Sequence, residues 1–302
     1  MKKLLLVDGN NLVMRYAYSP GLDKMTNKKG EPTGGIHGAV KSILQDIDDL
    51  KPDEVAVVFD GLGASKKKRE IYSGYKATRG PMLDSMFGQI ETARNIFRAA
   101  GIFVFHEPTF DADDVIGALA YNYERSVLIK SHDKDFFQLT SPRVSIMRPK
   151  MDIWTWKRVR NEIVHPKRFA EYLALVGDSV DGIPGLHGCG PVMALKLLEE
   201  HKDWNSLFTR KDAIGVKLRA QKKELNQFLS LTRIDVKCLN AVKLKSIEKR
   251  LTPKAYDTKV LHQLLQSNSL RSLESWFQTH RGNVLSQKGT IFDAVRTIGG
   301  KS

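Results

Sequence analysis

The chain has 302 residues, 41% of them hydrophobic, with 48 Lys and Arg against 34 Asp and Glu and a formal net charge of +14. That apolar share excludes a disordered polybasic tail and allows a buried core with two subdomains, while the opening Leu-rich run meets Asp8 too early for a signal peptide and no window approaches a membrane span. Two cysteines, Cys189 and Cys238, are too few for a disulfide framework and lack zinc-ligand spacing, so a soluble, cytoplasmic protein with a polyanionic partner such as nucleic acid is expected.

In chain order, Lys3 to Val7 is a short apolar run of the kind buried in a parallel sheet, and Asp8 follows at once, with Gly9-Asn10-Asn11 as a turn. Helical apolar spacing runs from Ile36 to Leu50. A second strand run, Glu54 to Phe59, ends in Asp60-Gly61. Helical spacing returns from Met86 to Ala100, and Asp111-Ala112-Asp113-Asp114 then opens the apolar periodic run Val115 to Ala120 as a helix N-terminus would. A third strand run, Ser126 to Lys130, is followed by Asp133-Lys134-Asp135. These β-α-β units predict an α/β fold around a parallel sheet, in which ligands bind beyond the carboxyl ends of the strands. Further on, Asp178 and Asp181 are spaced to share a helical face within Gly177 to Gly185.

Taken singly, each aspartate reads as a turn residue or a helix cap, and acids in a first helical turn complement its dipole. Their recurrence points to chemistry. If Asp8, Asp60, Asp111, Asp113, Asp114, Asp133, Asp135, Asp178 and Asp181 converge, mutual repulsion raises their pKa values and destabilises the fold unless cations neutralise them. All-oxygen ligation predicts Mg²⁺ or Mn²⁺ rather than zinc, and so many carboxylates suit a pair of ions roughly 4 Å apart on a phosphodiester.

Two other segments bear on a nucleic-acid partner. From Lys66 to Gly80 aromatic residues interleave with cations, a pattern suited to single-stranded nucleic acid and equally to a solvated loop. Gly185 to Pro191 is a glycine-rich turn before the apolar helical run Ala194 to Leu198. Its glycines let backbone amides approach a phosphate at a helix N-terminus, though a plain turn between two helices has the same composition.

These motifs resemble the phage and bacterial 5′ nucleases, which include phage 5′-3′ exonucleases and the 5′-nuclease domain of bacterial DNA polymerase I. The resemblance spans about Lys3 to Asp235 and rests on Val7-Asp8-Gly9-Asn10, Tyr75-Lys76 with Arg79, Asp111 to Ile116, Asp133-Lys134-Asp135, and Gly177-Asp178 with Asp181 to Gly185. It implies a PIN-like nuclease core over residues 1–165 with a helical arch at about 62–90, a helical helix-three-turn-helix region for duplex DNA over 166–281, and a flexible tail over 282–302. It further implies two or three divalent ions: Asp60, Asp111, Asp113 and Asp133 on the first, Asp135, Asp178 and Asp181 on the second. Asp8 acts on the first ion through water, and Asp114 is an additional acid outside the ligand set.

On the same resemblance, Lys76 and Arg79 polarise the scissile phosphate under the arch, Tyr75 and Arg15 meet the substrate, and Gly185, Gly188 and Gly190 form the duplex-gripping hairpin with K⁺. The implied partner is DNA with a 5′ single-strand/duplex junction, or RNA primers, handled by a monomer during replication. The chain departs from the family pattern at three places. Asp111 stands where glutamate is usual, Val192 stands at the hairpin lysine position with Lys196 one turn later as a substitute, and Lys67-Lys68-Arg69 replaces an aromatic-arginine pair. Two other readings stay open: a PIN-like ribonuclease without arch or hairpin, and a DNA-binding module that has lost catalysis.

Overall fold

The three apolar runs lie side by side in the middle of a six-stranded sheet of order β3-β2-β1-β4-β5-β6. In this computed structural model, which describes residues 2–77, 80, 82–279 and 284, the strands are β1 (Lys3–Asp8), β2 (Glu54–Val58), β3 (Phe103–Phe105), β4 (Ser126–Lys130), β5 (Val144–Arg148) and β6 (Asp152–Trp154). All pairs are parallel except the edge pair β5 and β6. The chain winds from β1 through β2 to β3 on one side, then crosses back to place β4 on the other side of β1. The crevice at the carboxyl ends of β1 and β4 is therefore the switch point at which open α/β sheets bind ligands.

Helices cover both faces because successive strand residues point to opposite sides. Leu4 and Leu6 of β1 join a core with Ala56, Val58 and Ile129, and Leu5 and Val7 join a second core with Val55 and Val57. The second face carries α1 (Gly9–Ala17), α2 (Gly34–Leu50) and, beyond α3 (Ala64–Ile71), α4 (Asp84–Ala99). The first face carries α5 (Ala112–Asn122), then α6 (Trp156–Glu162), α7 (Phe169–Val176) and α8 (Pro191–Glu200), followed by α9 (Ala213–Ala220), α10 (Lys222–Thr232) and α11 (Ala241–Glu248). The last two helices, α12 (Thr258–Ser267) and α13 (Arg271–Thr279), return to the second face and pack against α4 and α2.

In the segment expected to form an arch, α3 leads into a turn through Ala77, and α4 begins at Asp84. The carboxyl end of α3 rests on α10: Gln227 Nε2 donates to Ile71 O at 3.0 Å, and Tyr72 meets Phe228 edge to face at 5.4 Å. Arg79 lies outside the described residues, as does the expected tail from 282 except Val284, which is buried in the second core. No helix among the described residues is long and apolar enough to cross a membrane.

Candidate active site

Strand ends and helix starts place the acids. Asp8 ends β1 and caps α1: one oxygen accepts from Asn11 N at 3.1 Å and the other from Ser131 Oγ at 2.9 Å. Asp60 follows β2 and accepts from Ala112 N at 2.9 Å, which ties it to the start of α5. Asp111 caps that helix, accepting from Asp113 N at 3.1 Å, and Lys68 Nζ of α3 lies 3.1 Å from its other oxygen. Asp133, after β4, caps a 3-10 turn by accepting from Asp135 N at 2.9 Å. Asp178 accepts from Val180 N at 2.9 Å and pairs with Lys134 Nζ at 3.0 Å, while Asp181 lies 3.7 Å from Lys76 Nζ. The cap and the chemical reading hold together, because an N-cap needs one carboxylate oxygen and leaves the other turned elsewhere.

The nine acids form one electrostatic chain. Burial, then Asp60 and Asp133, push the Asp8 carboxyl up to about 7 against the hydrogen bonds from Asn11 and Ser131. Burial and then Asp111, Asp8, Asp133 and Asp60 hold Asp113 well above the carboxylate range. Asp135 is raised in the same way, by burial and then Asp133, Asp181 and Asp178. Asp60 is open to solvent along one side, yet the protein around it and then Asp111 raise it too. Burial lifts Asp114 to about 6, with Lys68 opposing and Asp111 reinforcing, while Asp235 N donates to it at 2.8 Å. Burial draws the Lys68 ammonium down, but Asp111, Tyr75, Asp114 and Asp113 outweigh it and raise it overall.

The donor set is oxygen throughout, which suits a hard divalent cation. Buried Asp135 Oδ1 has no hydrogen-bond partner, which leaves one acceptor of the set unsatisfied. Among the described residues, however, no three acidic, His or Cys side chains are drawn up around a single point in ligating geometry. They turn to backbone amides and to the ammonium groups of Lys68, Lys76 and Lys134, which occupy positions of positive charge that a divalent ion also satisfies. The residues fit such ions in donor chemistry and in their place at the strand ends.

The remaining expected residues separate. Lys76 reaches the acids from a left-handed backbone (φ 52°) and lies over the Tyr75 ring at 4.9 Å. Tyr75 itself is only 2% exposed and packs in the first core, so the expectation that its ring face receives a base is corrected: the apolar contact claims it. Arg15 is exposed at the last turn of α1. Gly185 (φ 75°) abuts the α7 terminus, where a Cβ would stand 2.5 Å from Gly177 N, so close packing requires a glycine there. Gly188 (φ 77°) and Gly190 lie on the turn into α8, with Val192 84% exposed beside them. Lys196 is exposed and lies 3.8 Å from Glu200. The pairing of Lys68, read in the sequence only as part of the basic segment, with Asp111 was not expected, nor were the contacts of Lys134, Ser131 and Asp235; Lys134 carried a local signal in standing between two expected ligands.

With this geometry in place, comparisons with known proteins agree. Residues 3–172 match the family described as 5′-3′ exonuclease, N-terminal resolvase-like domain, and residues 164–257 match 5′-3′ exonuclease, C-terminal SAM fold. A 5′-3′ exonuclease of Aquifex aeolicus (strain VF5) is 33% identical over 279 residues, covering 90% of this chain and 94% of that protein. The thermostable DNA polymerase I of Thermus filiformis is 34% identical over 280 residues, 89% of this chain but 33% of the polymerase. The fold is that of T5 5′-exonuclease with bound zinc (TM-score 0.66, 17% identity, 88% of this chain and 99% of that one) and of a bacteriophage T5 flap endonuclease complex with DNA and metal ions (TM-score 0.64, 18% identity, 88% and 98%). The chain belongs to the family of 5′-3′ exonucleases and flap endonucleases, hydrolytic enzymes of nucleic acid.

Proposed function

We propose that this protein is a metal-dependent, structure-specific 5′ nuclease that hydrolyses DNA near 5′ single-strand/duplex junctions, leaving 5′-phosphate and 3′-hydroxyl ends, in flap or RNA-primer removal during replication. The observation that carries it is the gathering of acids at the switch point of the sheet, where burial and then neighbouring carboxylates raise Asp8, Asp60, Asp113 and Asp135. The Aquifex exonuclease and the polymerase relatives support the direction of attack, and the T5 complex with DNA and metal ions supports the substrate and the ions.

In this reading Asp60, Asp111, Asp113 and Asp133 hold one Mg²⁺ or Mn²⁺, and Asp135, Asp178 and Asp181 hold another. Such ions, when bound, neutralise charge, acidify water and polarise a phosphoryl oxygen. Asp8 lies beside the first set and Asp114 behind it. Lys76 leaves its carboxylate partner for the scissile phosphate and, together with Arg79, stabilises charge that develops there. Lys68 holds Asp111 in place, compensating for a carboxylate shorter than the usual glutamate. Gly188 and Gly190 at the start of α8 face the duplex, with K⁺ as the companion ion, and the protein acts as a cytoplasmic monomer.

A time course on 5′-labelled flap, nicked and blunt DNA tests the proposal. Cleavage at the flap junction with Mg²⁺ and none in excess EDTA is expected; undiminished cleavage in EDTA overturns it. Faster cleavage of structureless RNA than of the flap favours the ribonuclease alternative instead.

A further inference from the structure

A cavity of about 170 Å³ lies at the carboxyl ends of β1, β4 and β5, between α1, α2 and the Pro149–Met151 turn. Three cations line it, Arg15, Arg148 and Lys150, and none has a carboxylate within ion-pair distance among the described residues. Lys130 also lines it but is committed to Asp46 and to Ser42 Oγ, leaving Asp49, held by Gln45 Nε2 at 3.1 Å, as the one further acid in the wall. Arg148 Nε is buried without a hydrogen-bond partner. Such a donor is costly to desolvate and is satisfied by an acceptor arriving from outside. At the rim, Lys150 (φ 62°) and Met151 (φ 58°) are consecutive left-handed residues without being glycine, a strain that clusters at ligand sites.

The cavity shares a wall with the acidic cluster. Ser131 and Asn11 line it, and the same two residues donate to Asp8, Ser131 through Oγ at 2.9 Å and Asn11 through its backbone N at 3.1 Å. A phosphate being cleaved must meet the aspartates, so an anion on the far side of Ser131 and Asn11 is a different one. Guanidinium groups bind phosphate oxygens through paired donors, which suits two arginines with no carboxylate partner.

We infer that this cavity is a binding site for a non-scissile phosphate, either a backbone phosphodiester of the bound strand or the terminal phosphate of a released nucleotide. The inference rests on DNA being the substrate, and the test separates the two ideas. Flap substrates carrying one neutral methylphosphonate at successive positions are bound in EDTA by the wild type, Arg148→Gln and Lys150→Gly. Glycine suits the left-handed backbone at 150, so this variant removes charge without strain and carries the test if Arg148→Gln fails to fold.

If the site takes a backbone phosphate, one linkage away from the cut weakens wild-type binding about tenfold when neutralised, and the variants lose that sensitivity while binding unmodified DNA correspondingly less tightly. If it takes a terminal phosphate, a deoxynucleoside 5′-monophosphate inhibits wild-type cleavage and inhibits the variants several-fold less. Equal position profiles together with equal inhibition in wild type and variants overturn the inference. A wild type that shows the position-dependent loss of binding in EDTA, absent from the variants, but fails to cleave unmodified flap DNA with Mg²⁺ supports the phosphate site and overturns the nuclease reading.

Discussion

At the scale of single residues, the site uses several carboxylates twice: Asp8, Asp60, Asp111, Asp133 and Asp178 each accept from a backbone amide and belong to a shared negative field. Asp178 shows the economy of this: one oxygen accepts from Val180 N and the other meets Lys134. Asp178→Ala is expected to lower cleavage of flap DNA at least a hundredfold while duplex affinity in EDTA changes less than threefold; equal losses in both would show a role in binding. Lys68 has the reverse task, supplying positive charge to a buried acid. Both partners are buried, with side-chain exposures of 14% and 9%, so removing one leaves a charge without compensation. Lys68→Met is expected to destabilise the protein in EDTA by about 1–3 kcal/mol, seen as a melting temperature several degrees lower. Mg²⁺ should recover most of that loss, and a deficit that stays the same with the cation would assign Lys68 to packing alone.

Among elements, the contact that matters most joins the turn after α3 to the loop after α7. Lys76 N donates to Asp181 O at 2.9 Å, and Gly182 (φ 69°) lies so close that a Cβ there would stand 2.4 Å from Gly74 O. The loop is itself closed by the backbone pair between Asp178 and Ile183. A side chain at 182 must therefore push the Lys76 turn away from the acids and adopt a left-handed backbone as well. Gly182→Ala is expected to cost about 1–3 kcal/mol and to reduce turnover tenfold or more. Circular dichroism melts and single-turnover rates read these separately; an unchanged rate would mean that the turn is not coupled to the chemistry. The outer strands illustrate what escaped local pattern. β3 and β6 have three residues each, too short for periodicity to distinguish from turns, and they exist because β2 and β5 offer edges to pair with.

For the molecule as a whole, the acidic cluster makes stability depend on pH in a definite sense. Asp8 at about 7 and Asp114 at about 6 are protonated in the folded chain over a range where the unfolded chain has already lost those protons. Their stabilising share is complete below the ordinary carboxylate value of 3.8 and is lost as pH rises through 6 and 7. In EDTA the melting temperature is expected to fall between pH 5 and pH 8, and Mg²⁺ to raise it more at pH 8 than at pH 5 because the ionised acids bind the cation. A cation-induced shift equal at both pH values in scanning calorimetry would refute the link between these acids and metal.

The local part of all this was legible in the chain. Asp8, Asp60 and Asp133 could be placed because an apolar run of strand length ends just before each, and Asp111 because an apolar helical period begins just after it. Those signals depend on neighbours in sequence, and folding preserves them. The pairing of Lys68 with Asp111 and of Lys134 with Asp178, the burial of Tyr75, and the use of Gly185 as packing were decided only by tertiary structure. Coulomb energy and close packing depend on distance in space, and a cation 43 positions from its carboxylate along the chain has no local mark to announce the partner it will meet.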